Sequence, residues 1–189
     1  QVQAVAVGWQ VYSLTHSAAA LGFAGLAQFL PMLLLTLPAG HVADQFDRRR
    51  IVLTCQIIEA TATLLMAWAS WQHLIGSWAL YALVAIFGAC RAFEMPAQQT
   101  FLPAIVTPAL FARATALSSS IFQVASIAGP SLGGVLYGLG ADVCYLLCSF
   151  GFSCAAFSTW SLTLRFPARA RQPITLDSVM GGIAFLRRQ

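Results

Sequence analysis

Two carboxylates and one guanidinium stand inside stretches that are otherwise apolar: Glu59 within residues 51–71, and Arg91 with Glu94 within residues 78–98. An ionised carboxylate surrounded by hydrocarbon is costly, so it must find a partner or take up a proton, and the second outcome is a site that loads and releases protons. Arg91, Glu94 and Gln98 follow at i, i+3 and i+7 and share one helix face, where Arg91 is placed to keep Glu94 ionised. Glu59 has no such neighbour in the sequence, which makes it the better proton carrier of the two. The structural alternatives are an Arg91–Glu94 pair that only packs, and a Glu59 carboxylate bonded to a neighbouring helix or facing headgroups about 12 Å from the end of its run.

Other chemistries find little support. No nucleophile stands with a base, because His16 and His73 fall in polar turns and His41 in a short charged stretch. There is no phosphate-binding G-x-x-x-x-G-K-[ST], no H-E-x-x-H and no G-x-S-x-G, so neither an enzyme nor an ATP-driven pump is expected from this chain. Cys55, Cys90, Cys144, Cys148 and Cys154 are odd in number, sit inside apolar runs and lack zinc-type spacing with His; they read as small packing residues. No metal and no cofactor is expected.

The elements that must position these groups are membrane spans. With 59% hydrophobic and 8% charged residues and a mean hydropathy of +0.76, a chain of 189 residues is too apolar for a soluble domain. The apolar runs predict an all-α bundle of six spans at about 1–14, 18–39, 51–71, 78–98, 113–137 and 143–164, the first too short to cross and so expected to be truncated. Residues 1–165 form this bundle, and 166–189 begin an inner loop in which Leu176, Val179, Met180, Ile183 and Leu186 line one side of an amphipathic surface helix. All ten basic residues are Arg, and nine lie between spans or at their edges, Arg48, Arg49, Arg50, Arg113 and Arg165 among them. That bias orients those segments to the cytoplasm. It lines one membrane face rather than a groove, so a nucleic-acid partner is not expected.

Within the spans, Gln3 and Gln10 lie seven residues apart on one face, which must meet protein or a water-filled cavity, as an interhelical bond or as cavity lining. Pro31 and Pro38 should bend the second span, and Pro96 and Pro103 should mark the descent from the fourth into a loop over 103–112. In the fifth, Ala125, Gly129 and Gly133 form a small-residue stripe that lets another helix approach, with Pro130 bending the helix there. About 90° away Ser119, Gln123 and Ser126 form a polar stripe that should meet a cavity.

Residues 40–50, Gly-His-Val-Ala-Asp-Gln-Phe-Asp-Arg-Arg-Arg, read as a short loop between the second and third spans. Gly40, Ala43, Asp44, Arg48 and Arg49 resemble the signature G-x-x-x-D-[RK]-x-G-[RK]-[RK] of the major facilitator superfamily, with Gln45 where a basic residue is usual and Asp47 where glycine is usual. The Asp-x-Phe-Asp-Arg-Arg-Arg form resembles the branch holding the enterobactin exporter and macrolide efflux proteins. Residues 125–134, with Gly129, Pro130, Gly133 and Gly134, resemble the fifth-helix antiporter signature G-x-x-x-G-P-x-x-G-G, and Arg91 matches the arginine of the fourth-helix motif R-x-x-x-G, with Met95 for its glycine. The resemblance implies the first half of a twelve-helix transporter of the bacterial inner membrane. It would export a drug-like or siderophore-like molecule by exchange with protons, partnered by a C-terminal six-helix half and the lipid bilayer, with Asp44 and Arg48 as a conformational latch. Solute uptake by symport, a non-transporting scaffold and a truncated half-transporter are the alternatives.

The charge pattern gives an orientation that labelling can check. Single cysteines introduced beside His73 or Asp142 should react with an impermeant thiol reagent applied outside the cell, whereas one beside Arg49 should stay shielded; the reverse pattern would overturn the orientation.

Overall fold

The computed structural model describes residues 1–162, with Asp44 and Ala104 described by their backbone alone. Among these residues the regular elements are all helices: α1 (Val2–Thr15), α2 (Ala18–Gln45), α3 (Arg48–Trp71), α4 (Ser77–Gln98), α5 (Phe101–Ile105), α6 (Pro108–Tyr137) and α7 (Ala141–Ser161). Five of them, α2, α3, α4, α6 and α7, are long and apolar enough to cross a membrane. At 14 residues α1 is shorter than the ~20 a crossing needs. The amphipathic segment at Leu176–Leu186 and Arg165, Arg169, Arg171, Arg187 and Arg188 lie outside the described residues.

Two boundaries differ from the sequence expectation. Most of the stretch read as a loop is helix: α2 continues through Gly40 and the Asp44 backbone to Gln45, leaving only Phe46 and Asp47 to join α2 to α3. No proline follows Pro38 there, and charge alone does not end a helix. The break comes where Phe46 turns extended and Asp47 caps the next helix. The fourth helix ends at Gln98, where the apolar run does, but the stretch over 103–112 read as a loop is mostly helix: Pro103 sits within α5, and α6 begins at Pro108. Proline at a first helical position loses no hydrogen bond, which favours this earlier start over one at Arg113.

The packing has internal symmetry. Helix α2 lies against α4 and α1 against α6; α3 touches α4 and α1 touches α7; α3 and α7 pack extensively on each other. Exchanging α1, α2, α3 with α4, α6, α7 maps these pairs onto one another and α3–α7 onto itself, as in an inverted repeat, although the α1–α2 contact has no α4–α6 counterpart. Ala6, Val11, Met66, Leu80, Phe87 and Tyr145 form the centre of the core. The outer surface carries exposed Leu37, Trp78, Ile127 and Phe150, as a lipid-facing shell would.

Glycine permits the closest helix contacts. A Cβ at Gly88 of α4 would run into the backbone carbonyl oxygen of Gln28 on α2. On the symmetry-related pair, Gly129 and Gly133 are the buried residues of α6; a Cβ at Gly133 would stand 3.1 Å from the Val2 carbonyl oxygen of α1. The small-residue stripe is therefore a contact surface for α1 at Gly129 and Gly133, but not at Ala125, which is exposed; Gly134 of the same run has nothing within 4 Å of an added Cβ.

Gly88→Ala should destabilise the bundle by about 1–3 kcal/mol through overpacking, whereas Gly22→Ala, with nothing within 4 Å of the new Cβ, should be neutral or slightly stabilising. Thermal unfolding of the two variants in detergent checks the contrast.

Candidate functional site

Three consecutive arginines at the α2–α3 junction have three different environments. Asp47, extended at φ −64° and ψ 111°, caps α3 by accepting a hydrogen bond from the Arg49 N–H at 3.0 Å. Its presence where the signature has glycine thus supplies a cap of the favoured type. Arg48 is half-buried and its Nε donates to the Ala43 carbonyl at 3.1 Å, closing the last turn of α2. Arg49 reaches across the bundle, donating from Nε to the Thr159 carbonyl at 3.0 Å and from Nη2 to the Trp160 carbonyl, two of the orphan acceptors at the end of α7. Arg50 stays exposed, 3.8 Å from the exposed Asp47 carboxylate. Gly40 has open space around it. The Asp44 side chain lies outside the description.

A line of polar contacts leads inward from Arg49. The buried Thr159 hydroxyl donates to Gln56 Oε1 at 2.9 Å, and Gln56 Nε2 donates at 3.4 Å to Glu94 Oε1, which also accepts from Gln98 Nε2. Glu94 is half-buried and held by amides. Arg91 is exposed, and no Arg91–Glu94 ion pair forms among the described residues. In place of the i, i+3 pairing, Gln98 at i+4 and Gln56 from α3 both donate to one carboxylate oxygen, Oε1. Glu59 is deeper, 2% exposed, and its carboxylate has no hydrogen-bond partner among the described residues. Glu94, Cys90, Arg91 and Cys55 are ionisable groups near it.

The two glutamines of α1 separate. Gln10 is a structural clasp: its Nε2 donates to Ser70 Oγ on α3 at 2.7 Å, and its Oε1 accepts from the Tyr145 hydroxyl on α7 at 2.7 Å. Of its two sequence readings, the interhelical bond is present. Gln3 instead lines a cavity between α1, α2 and α4. Ser119 and Gln123 are exposed on α6 and Ser126 is half-buried. No cluster of metal-ligating side chains occurs among the described residues, and the five cysteines are free.

Sequence reasoning did not single out Gln56, Thr159, Tyr145 or Gln28. Gln56 carried a usable signal, an amide three residues before Glu59 in an apolar run. Thr159 and Tyr145 carried none, since single hydroxyls are common in spans.

Residues 1–185 match the family described as transmembrane secretion effector, within the major facilitator superfamily. The chain is 25% identical over 189 residues to the multidrug efflux pump Tap of Mycobacterium tuberculosis, covering 97% of this chain and 45% of that protein. It is 24% identical over 154 residues to the staphyloferrin A transporter of Staphylococcus aureus, covering 76% and 38%. It is also 25% identical over 123 residues to macrolide efflux protein A of Streptococcus pyogenes, covering 65% and 30%. The chain spans less than half the length of these relatives. No solved structure matches.

The neighbouring arginines make a sharp comparison. Arg49→Ala should lower stability by about 1.5–3 kcal/mol by removing charge-assisted bonds to α7, whereas Arg50→Ala, which breaks only an exposed pair, should change it by less than about 0.5 kcal/mol. Denaturation of both variants under one detergent condition measures the difference.

Proposed function

Given that the chain belongs to the transmembrane secretion effector family of the major facilitator superfamily, we propose that it forms the first bundle of a secondary transporter that exports a drug-like or siderophore-like molecule in exchange for protons. The family comprises transporters rather than enzymes, and with its five apolar crossing helices the chain is an integral, multi-pass membrane protein. Export is favoured over uptake because relatives at both full and partial coverage carry efflux names. The proposed setting is a bacterial inner membrane, with the Arg48–Arg50 end cytoplasmic and a second bundle completing the transport path.

The observation that carries the coupling is Glu59: a carboxylate 2% exposed, in a membrane helix, without a hydrogen-bond partner among the described residues. Such a group has reason to bind a proton in one conformation and release it in another. Glu94 is the weaker candidate, because amides from Gln56 and Gln98 already hold its carboxylate. In this reading Asp44 and Arg48 latch one face of the alternating cycle, with Arg48 anchored on the Ala43 carbonyl.

In vesicles containing the full-length protein, a macrolide added on one side should trigger proton movement. Glu59→Gln should abolish that movement while leaving macrolide binding measurable, and Glu94→Gln should retain it. Normal proton exchange in Glu59→Gln would remove Glu59 from the mechanism.

A further inference from the structure

The cavity between α1, α2 and α4 is about 220 Å³ and holds two side-chain amides, Gln3 and Gln28, among Gly8, Ala24, Gly25 and Val84. Gln3 is 92% buried, at 8% exposure, yet neither its amide nor that of Gln28 has a hydrogen-bond partner among the described residues. Among the described residues no fully enclosed side-chain nitrogen or oxygen lacks a hydrogen bond, so the unbonded Gln3 amide opens onto the cavity and keeps unused donors and an acceptor there. By contrast Gln10, one face-repeat along α1, has both ends of its amide bonded. Cavity depth also fits a ligand site: Gln3 lies about 18 Å along α1 from Thr15 and Gln28 about 15 Å along α2 from Ala18, close to the middle of a ~30 Å hydrocarbon core. Transporter substrate sites lie near that level.

We propose that this cavity is a subsite that binds one uncharged, hydrogen-bonding arm of a transported molecule, a carbonyl, amide or hydroxyl group, between Gln3 and Gln28. It rests on the transport reading above and deepens it to a ligand class. Each amide offers both an acceptor oxygen and two donor hydrogens, so the pair suits a neutral group of either polarity. No charged residue lines the cavity, and a buried charge without a counter-charge is costly, which excludes an anionic or cationic arm. The volume is below the ~300–1,000 Å³ of a whole drug-sized site, so only part of the ligand enters. Gly88 fixes the geometry, since its missing Cβ lets α4 press against the Gln28 carbonyl and hold that residue at the cavity wall.

The test uses the purified full-length transporter and equilibrium binding of two probes: chloramphenicol, neutral and rich in amide and hydroxyl groups, and tetraphenylphosphonium, a cation with no hydrogen-bonding group. Gln3→Met and Gln28→Met keep side-chain length and remove the amides. Each should lower the ratio of chloramphenicol to tetraphenylphosphonium affinity about threefold to tenfold, with a melting temperature equal to or above that of the parent protein without ligand. An unchanged ratio, absent chloramphenicol binding in the parent protein, or a fall in melting temperature in both variants would overturn the subsite. Parent protein that binds chloramphenicol in a Gln3- and Gln28-dependent way but moves no solute in vesicles would support the subsite and sink the transport reading instead.

Discussion

A polar side chain placed among apolar helices has no water to fall back on, and the arrangement of this bundle follows from how each such group is satisfied. Gln10 bonds Ser70 on α3 and Tyr145 on α7, and Gln56 on α3 bonds Thr159 on α7 and Glu94 on α4. Each amide uses its donor and its acceptor on different helices, so each fixes a three-helix junction rather than a pair. These junctions tie α1 and α4 to the central α3–α7 pair. Once they are accounted for, two buried side chains stand out as having no hydrogen bond among the described residues: Glu59 and Gln3. The same energetic rule therefore identifies both the fasteners and the candidate sites.

Much of the architecture was legible because it rests on periodicity and length. The apolar runs located the membrane helices to within a few residues at most ends, and the Gly129–Gly133 spacing announced a close helix contact that α1 fills. Helix ends set by local capping were harder to read. Residues 40–45 look like a loop because they are polar, yet their backbone has no reason to leave the helix until Asp47 offers α3 a cap. The Arg91–Glu94 pair was plausible from spacing alone, but spacing along one helix cannot reveal that Gln56 approaches from another. Gln28 was invisible for the same reason, since the cavity that makes it notable is built from three helices.

Inverted symmetry explains why similar chemistry recurs at unlike sequence positions. The α2–α4 and α1–α6 pairs are counterparts, and both achieve their closest approach through glycine, at Gly88 and at Gly129 and Gly133. No sequence motif links the two, because Gly88 stands in Phe-Gly-Ala-Cys and the α6 glycines in a Gly-Pro run. What is repeated is the steric requirement: a smooth patch on one helix against the backbone of the other.

The two kinds of contact imply different mechanical properties. Helices α3 and α7 are bonded at the signature end by Arg49 to Thr159 and Trp160, farther in by Gln56 to Thr159, and near the middle by Ser149 to the Ala60 carbonyl. Displacing one past the other would strand several buried polar groups, at about 1–3 kcal/mol each. The α1–α6 contact is glycine against backbone, joined by the exposed, 3.4 Å Ser13–Tyr137 bond and by Trp9 stacked on Tyr137. Sliding along it strands fewer buried polar groups than sliding α3 past α7. Rigidity is thus concentrated in α3–α7, and the compliant seam lies where α6 meets α1. Glu59 and Glu94 sit on α3 and α4, while Gln3 sits on the face of α1 turned to α2 and α4, away from Val2 and Val5, which meet the glycine surface of α6. Gln10 also ties α1 to α3 and α7, so displacement along the seam moves α6 against the rest of the bundle.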